Sequence, residues 1–209
     1  MHEPSELLVA TNNAGKVREL SLLLADLPLR LRLLSELGRV PEAEETGATF
    51  AENATLKALH YSAFGRMLTL SDDSGLAVDA LGGAPGVYSA RYAGADATYA
   101  ERIAKLLGEL AATKDDERRA RFVCVIAVAD PSTGSLETFE GTCEGRIARA
   151  PRGDGGFGYD PVFIPDGYGQ TFGELPGAVK HSISHRARAL AKAARHLRAR
   201  FNSPGLTPG

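Results

Sequence analysis

Cysteine is scarce in this chain: Cys124 and Cys143 are the only two in 209 residues, and neither has a Cys or His partner at zinc-finger spacing. That excludes a disulfide framework and a Cys-based structural zinc site, and it suits a reducing compartment. Long apolar runs are missing too. The longest, Phe122 to Ala129, falls far short of the ~20 residues a spanning helix requires, and the acidic N-terminus lacks the basic and apolar regions of a signal peptide. A soluble, cytoplasmic protein with no membrane partner is expected. Net charge is small as well, at -2, so no overall field draws the chain to nucleic acid or an anionic surface. Any anionic ligand must be met locally. No GxxxxGK[ST] phosphate loop, internal repeat or low-complexity domain occurs.

What is present is ordinary globular material, 44% hydrophobic and 24% charged, in a length that favours one domain. We place that domain at 1–201 and expect a flexible tail over 202–209, where SPGLTPG lacks the means to pack. Charge is unevenly spread: Glu174 is the last acidic residue, and Lys180, Arg186, Arg188, Lys192, Arg195, Arg198 and Arg200 come after it. The basic end carries no interleaved aromatics, which argues against an RNA-binding module.

Periodicity sets the element order. Leu7 to Ala10 read as a strand, and Val17, Leu20, Leu23 and Leu24 as one face of a helix. Leu29, Leu31 and Leu33 alternate with arginines as a half-buried strand, and Ser35 to Gly47 reads as an acidic loop. Thr49 and Glu52 have capping-box spacing ahead of a helix to about Phe64; Thr98 and Glu101 repeat it ahead of Ile103, Leu106, Leu107 and Leu110. Met67 to Ser71 is a strand running into DDSG, and a flexible GGAPG stretch comes next. Arg121 to Ala129 and Leu136 to Ile147 make an antiparallel hairpin, hence a mixed sheet. The last helix shows one stripe: Ile183, Ala187, Leu190, Ala194, Leu197 and Phe201.

Four segments carry candidate chemistry, each with a plainer alternative. TNNAGK, Thr11 to Lys16, puts small and polar residues and a lysine at a strand–helix junction, where backbone amides can hold phosphate oxygens; an ordinary polar turn would look the same. DDSG, Asp72 to Gly75, sets two short-stemmed carboxylates at the end of an apolar strand, where they need a partner or a metal. If the strand continues, they point to opposite faces; otherwise they form an Asx turn that ends it.

GDGGFGYDP formally contains GxGxxG at Gly153, Gly155 and Gly158. No apolar strand precedes it and Pro161 interrupts the stretch where a helix would have to begin, so a dinucleotide fold is rejected. It is a permissive loop that presents Phe157, Tyr159 and Asp160, or a tight turn around a packed aromatic. KHSISHR, Lys180 to Arg186, clusters cations at the start of the last helix, which suits an anion or is a solvated cap. His181 and His185 have metalloprotease spacing, but Ser182 stands where the glutamate belongs.

Taken together, TNNAGK at Thr11, EETGATFAENA from Glu44, DDSGLAVDALGGAPGVYSARYAG from Asp72, GGFGYDPVF from Gly155 and SHRARAL from Ser184 resemble the inosine/xanthosine triphosphate pyrophosphatase family. The five collinear blocks cover nearly the whole chain. The resemblance implies an elongated α/β fold with a mixed sheet flanked by helices, two lobes around a central cleft, and a homodimer. The implied activity is Mg2+-dependent cleavage of non-standard purine nucleoside triphosphates between the α and β phosphates. It implies that Thr11, Asn12, Asn13, Ala14, Gly15 and Lys16 hold phosphate, that Asp73 is general base and metal ligand, and that Ser74 contacts substrate. Phe157, Gly158, Tyr159, Asp160, Lys180, His185 and Arg186 are implied to bind the base and phosphate chain. Among Glu42, Glu44 and Glu45 we choose Glu44 as the second metal ligand. The rival readings are a Maf-like pyrophosphatase for other nucleotides and a catalytically silent nucleotide-binding protein.

Overall fold

A computed structural model describes residues 5–202. The apolar run near the N-terminus becomes strand β1, Glu6–Val9, and Asn13 caps helix α1, Ala14–Leu24, by accepting from the Gly15 and Lys16 amides. β2, Arg30–Leu33, lies parallel to β1 and leads into a short 3-10 turn, Leu34–Leu37, where an irregular loop was expected. Thr49 and Glu52 form the capping box that starts α2, Phe50–Gly65. α2 buries Ala54, Ala58 and Tyr61 along one stripe, and a left-handed Arg66 ends it.

β3, Thr69–Val78, runs straight through DDSG, so the Asx-turn alternative is wrong. Its hydrogen-bonded register with β4, Arg119–Asp130, extends from Thr69↔Ala129 to Val78↔Ala120. That unbroken ladder holds the two aspartates in extended backbone. The GGAPG stretch links 3-10 turns at Asp79–Leu81 and Gly86–Arg91, and Pro85 within it bridges back to Ala77. α3, Tyr99–Glu109, starts from the second capping box. β4 turns back as β5, Ser135–Ile147, and β6, Phe163–Pro165, adds the last edge. Six strands make one mixed sheet in the order β2-β1-β3-β4-β5-β6.

The basic C-terminal helix is two helices. α4, Gly177–Ile183, ends at an extended Ser184, whose hydroxyl accepts from the Ala187 amide and so caps α5, His185–Asn202. Lys180 therefore belongs to α4, while His185 and Arg186 open α5. The helix keeps Asn202; the rest of the tail expected over 202–209 lies outside the described residues. α5 lies close on β5. A Cβ at Gly141 would sit 2.3 Å from the His185 carbonyl oxygen and 2.4 Å from the Ala189 nitrogen, so only glycine permits that approach.

Apolar packing divides along β3 and β4. Leu7, Val9, Leu70, Ile126 and Val128 pack with Leu20 and Leu24 of α1 and Leu190 and Leu197 of α5. Farther along the same strands, Leu76, Val78, Phe122 and Ala120 pack with Ile103 and Leu106 of α3 and with Phe163. Asp72 and Ser74 fall between these two cores, on the face that Leu70 and Leu76 share. β1 pairs with β3 only at Leu8↔Thr69 and Val9↔Leu70, so one edge of β3 is released where the aspartates begin.

Because α2 depends on its cap to begin at Phe50, Thr49→Ala is expected to destabilise the protein by about 1 kcal/mol. Urea unfolding followed by circular dichroism measures it; an unchanged midpoint would show that Glu52 alone holds the helix start.

Candidate active site

Alternation along β3 sends its polar side chains to two helices. Asp73 points to the α2 face, where its Oδ1 accepts from Lys57 Nζ at 2.8 Å. Asp72 and Ser74 point to the α1 and α5 face, where Lys16 Nζ lies 2.9 Å from Asp72 Oδ2 and Arg186 donates to both residues. Since the strand edge is free here, both faces open into one hollow of about 310 Å³. Thr11, Asn12, Asn13, Lys16, Asp73, Ser74, Phe157, Gly158, Tyr159, Asp160, Lys180, His185 and Arg186 all line it. The four sequence segments meet in one cleft.

Ala14 and Gly15 do not line the hollow. Ala14 is exposed, and Gly15 is buried under Phe157, whose ring carbon would stand 2.9 Å from a Cβ there. The start of α1 is also not a bare anion site, because Asn13 Oδ1 takes the Gly15 and Lys16 amides at 2.9 and 3.1 Å. This segment presents side chains to the cleft: Thr11, Asn12, Asn13 and the Lys16 ammonium.

The acidic loop is tied to α2 at three points. Asn53 Oδ1 accepts from the Gly47 amide, the Tyr61 hydroxyl oxygen accepts from the Ala43 amide, and His60 Nε2 meets the Pro41 carbonyl. This anchoring brings Glu42 and Glu45 to the cleft and leaves Glu44 exposed and off its wall. Glu45 Oε1 lies 3.2 Å from Lys57 Nζ, so one ammonium serves Glu45 and Asp73 together. Glu45, the neighbour of Glu44, is thus the glutamate that stands beside Asp73 in the ligand-free cleft.

Buried charges in the cleft come in matched sets. Arg186 is 2% exposed. Its Nε and Nη2 donate to Asp72, its Nη2 also to Ser74, and its Nη1 to Glu19, which leaves one N–H on Nη1 uncommitted. Glu19, from α1, also lies 2.8 Å from Lys180 Nζ, and Lys180 donates to Asp160 Oδ2 at 2.5 Å. The same Asp160 oxygen accepts from the Phe157 amide at 2.7 Å. Lys180 Nζ lies 4.5 Å from the centre of the Phe157 ring. Tyr159 is buried, and its hydroxyl donates to the Ser89 carbonyl at 3.0 Å, tying the glycine-rich loop to the 3-10 turn Gly86–Arg91.

Each ionisation is set by these neighbours. Burial disfavours charge on Asp72, but Lys16, Arg186 and Lys57 outweigh it and hold the carboxyl far below its ordinary range. Burial also acts on Asp73, and there Lys57 and Lys16 offset it only in part, so its pKa lies above the usual aspartate value. Burial would lower Lys57, yet Asp73, Asp72 and Glu45 together raise it. For Glu19, burial is overcome by Arg186 and Lys180, and its pKa falls. Burial, then Arg186 and Lys180, push His185 well below its ordinary value, so the imidazole is neutral. Its ring stacks on Phe122 at 4.7 Å, and Nδ1 is buried with no hydrogen-bond partner.

Lys57 and Glu19 are not singled out by the sequence patterns, and Glu45 stands there only as an alternative to Glu44. Lys57 had a readable signal, since it shares the buried stripe of α2 with Ala54, Ala58 and Tyr61. Glu19 had a weaker one, as a carboxylate beside Leu20 on the inner face of α1. Among the described residues no group of three or more His, Cys, Asp or Glu side chains forms a metal cage.

An α/β protein with a charged cleft between two cores, carboxylates and lysines facing a shared hollow, is the class that this fold and site define. The chain belongs to the Ham1 family, whose model matches residues 7–196. It is 52% identical over 187 residues to a dITP/XTP pyrophosphatase of Geobacillus kaustophilus, covering 90% of this chain and 91% of that one. A protein of the same name from Shigella flexneri is 50% identical over 189 residues, 88% of this chain and 94% of that one. Among solved structures, a HAM1 protein from Coxiella burnetii superposes with a TM-score of 0.86 at 44% identity, covering 93% of this chain and 99% of that one. A nucleoside-triphosphatase / dITP/XTP pyrophosphatase from Mycobacterium abscessus gives 0.75 at 42% identity, over 90% and 98%.

Glu19→Gln removes the charge that neutralises two buried cations, and a loss of about 3 kcal/mol is expected. Chemical denaturation of the ligand-free protein measures it; a loss under 1 kcal/mol would mean that Asp72 and Asp160 suffice.

Proposed function

We propose that this chain hydrolyses non-standard purine nucleoside triphosphates, dITP and XTP among them, to the nucleoside monophosphate and pyrophosphate. The observation that carries the reading is one hollow lined by Asp73, Lys16, Lys180 and Phe157. The activity named for relatives about half identical over most of both chains supports it.

A triphosphate brings about four negative charges, more than the lysines alone neutralise, so a divalent cation is required. The donor chemistry fits Mg2+: two carboxylates, Asp73 and Glu45, already share a single positive group, and Mg2+ takes few protein oxygens beside water and phosphate. These two side chains would hold the ion, which when bound supplies charge neutralisation on the phosphate chain. Lys16 and Lys180 meet the phosphates from the opposite wall, with Thr11, Asn12, Asn13 and Ser74 as polar contacts. Asp73, with its raised pKa, accepts the proton of the attacking water. The new bond joins water oxygen to the α phosphorus, and the bond to the bridging oxygen breaks to release pyrophosphate.

Selectivity rests on His185 more than on Arg186, whose donors are nearly all engaged by protein groups. His185 lines the hollow with a neutral imidazole, whose single N–H suits a 6-oxo purine and mismatches a 6-amino one. Phe157 supplies a ring beside the base. A homodimer remains our reading of the assembly, with Leu56, Leu59 and Phe64 of α2 as exposed apolar surface. Cytoplasmic placement agrees with the two free, buried cysteines, and no described helix is long and apolar enough to cross a membrane.

Asp73→Asn is expected to lower dITP turnover at least a thousandfold while nucleotide binding persists, and phosphate analysis of the wild type should find pyrophosphate rather than orthophosphate. Orthophosphate as first product, or full turnover by the variant, would overturn the reading. Glu45→Gln should raise the Mg2+ concentration needed for half activity roughly tenfold, and Glu44→Gln should leave it unchanged; the opposite pattern would return the metal to Glu44.

A further inference from the structure

Away from the cleft, a second hollow of about 410 Å³ opens between the end of β5 and the segment just beyond it. Arg146, Arg149 and Arg152 stand on its walls, over a floor that includes Ile147, Ala148 and Ile164. Beneath lies Arg118, 2% exposed. Its guanidinium donates to three backbone carbonyls, of Leu110, Ile147 and Ala148, at 2.7 to 2.9 Å, and to no carboxylate. Carbonyl oxygens satisfy its N–H groups without cancelling its charge.

The acids that reach this cluster are already engaged. Asp115 is 2.6 Å from Arg149 Nε, and Glu174 is 3.5 Å from Arg152 Nε. Asp166, which lies in the field of Arg146, is gripped by both terminal nitrogens of Arg119 at 2.7 and 2.9 Å. Arg146 itself has no carboxylate within ion-pair distance among the described residues. Setting Asp115 and Glu174 against their arginines leaves Arg118 and Arg146 with no carboxylate in contact at this hollow. The two ion pairs on its walls are at least partly exposed and so are weakly held.

We propose that this groove is a second anion site, distinct from the cleft, that takes a diphosphate group. Two guanidinium groups without a contacting carboxylate favour a ligand with two or more negative charges. Guanidinium forks match phosphate oxygens in pairs, and a diphosphate lets Arg146 take one phosphate while Arg149 and Arg152 reach the other. The volume holds either inorganic pyrophosphate or the phosphate tail of a nucleoside diphosphate. An occupant would also sit on the root of the glycine-rich loop: the Arg152 amide donates to the Pro161 carbonyl, and its carbonyl accepts from the Thr171 hydroxyl.

The test is calorimetric titration of the full-length, metal-free protein with inorganic pyrophosphate, and separately with a nucleoside diphosphate. Arg146→Gln and Arg152→Gln each alter a side chain on the groove wall, and Lys16→Ala alters the cleft; thermal melting checks that all three remain folded. The expected result is a binding event weakened at least tenfold by either arginine variant and retained in Lys16→Ala. Tighter binding of the nucleoside diphosphate would identify a nucleotide as occupant, and equal binding the diphosphate alone; both support the site. Loss of all binding in Lys16→Ala, or no change in Arg146→Gln and Arg152→Gln, would overturn it. Since the readout is binding, its failure leaves the proposed hydrolysis standing.

Discussion

The structure turns on the burial of the Arg186 guanidinium between Asp72 and Glu19. An unpaired cation there would cost several kcal/mol, and so would either carboxylate without it. Because Glu19 sits on α1, Asp72 on β3 and Arg186 on α5, satisfying those charges fixes three elements against one another. Lys16 closes the loop through Asp72, and Lys180 extends it through Glu19 to Asp160 and the Phe157 amide. The walls of the cleft are thus held by the same charges that line it. Apolar packing holds each core, and this network holds the seam between them.

Much of that was readable from one chain. Both capping boxes, the hairpin and the apolar stripe of the last helix from Ala187 onward are local signals, and each appears where the spacing puts it. The motifs at Thr11, Asp72, Phe157 and Lys180 meet in one hollow, as their chemistry requires. What could not be read was set by distance in space. Whether Glu44 or Glu45 faces the cleft depends on how Asn53, Tyr61 and His60 pin the loop, and none of those contacts can be deduced from spacing. Arg186 looked like a free donor because its acid partners lie 114 and 167 residues away. The break at Ser184 was masked by an apolar stripe that continues through Ile183 into α5.

The two aspartates show how neighbours, not residue type, assign roles. Asp72 faces Lys16 and Arg186 and stays ionised under all ordinary conditions, which suits a structural anion. Asp73 has one close cation, shared with Glu45, and burial leaves its proton affinity raised. The general base proposed at Asp73 benefits from that affinity, and a structural anion has no need of it. One step along an extended strand separates the two environments, so the register of β3 on β4 also decides which aspartate meets which cations.

Gly141 lies on β5, outside the cleft and without a side chain to offer it. Its missing Cβ nonetheless lets the first turn of α5 settle against the sheet at the His185 carbonyl. The depth at which the imidazole and guanidinium enter the hollow is therefore gauged from behind by a hydrogen atom. Redesign of the hollow that alters only the residues facing it leaves that spacer untouched, and the reach of any new side chain at position 185 or 186 is measured from it.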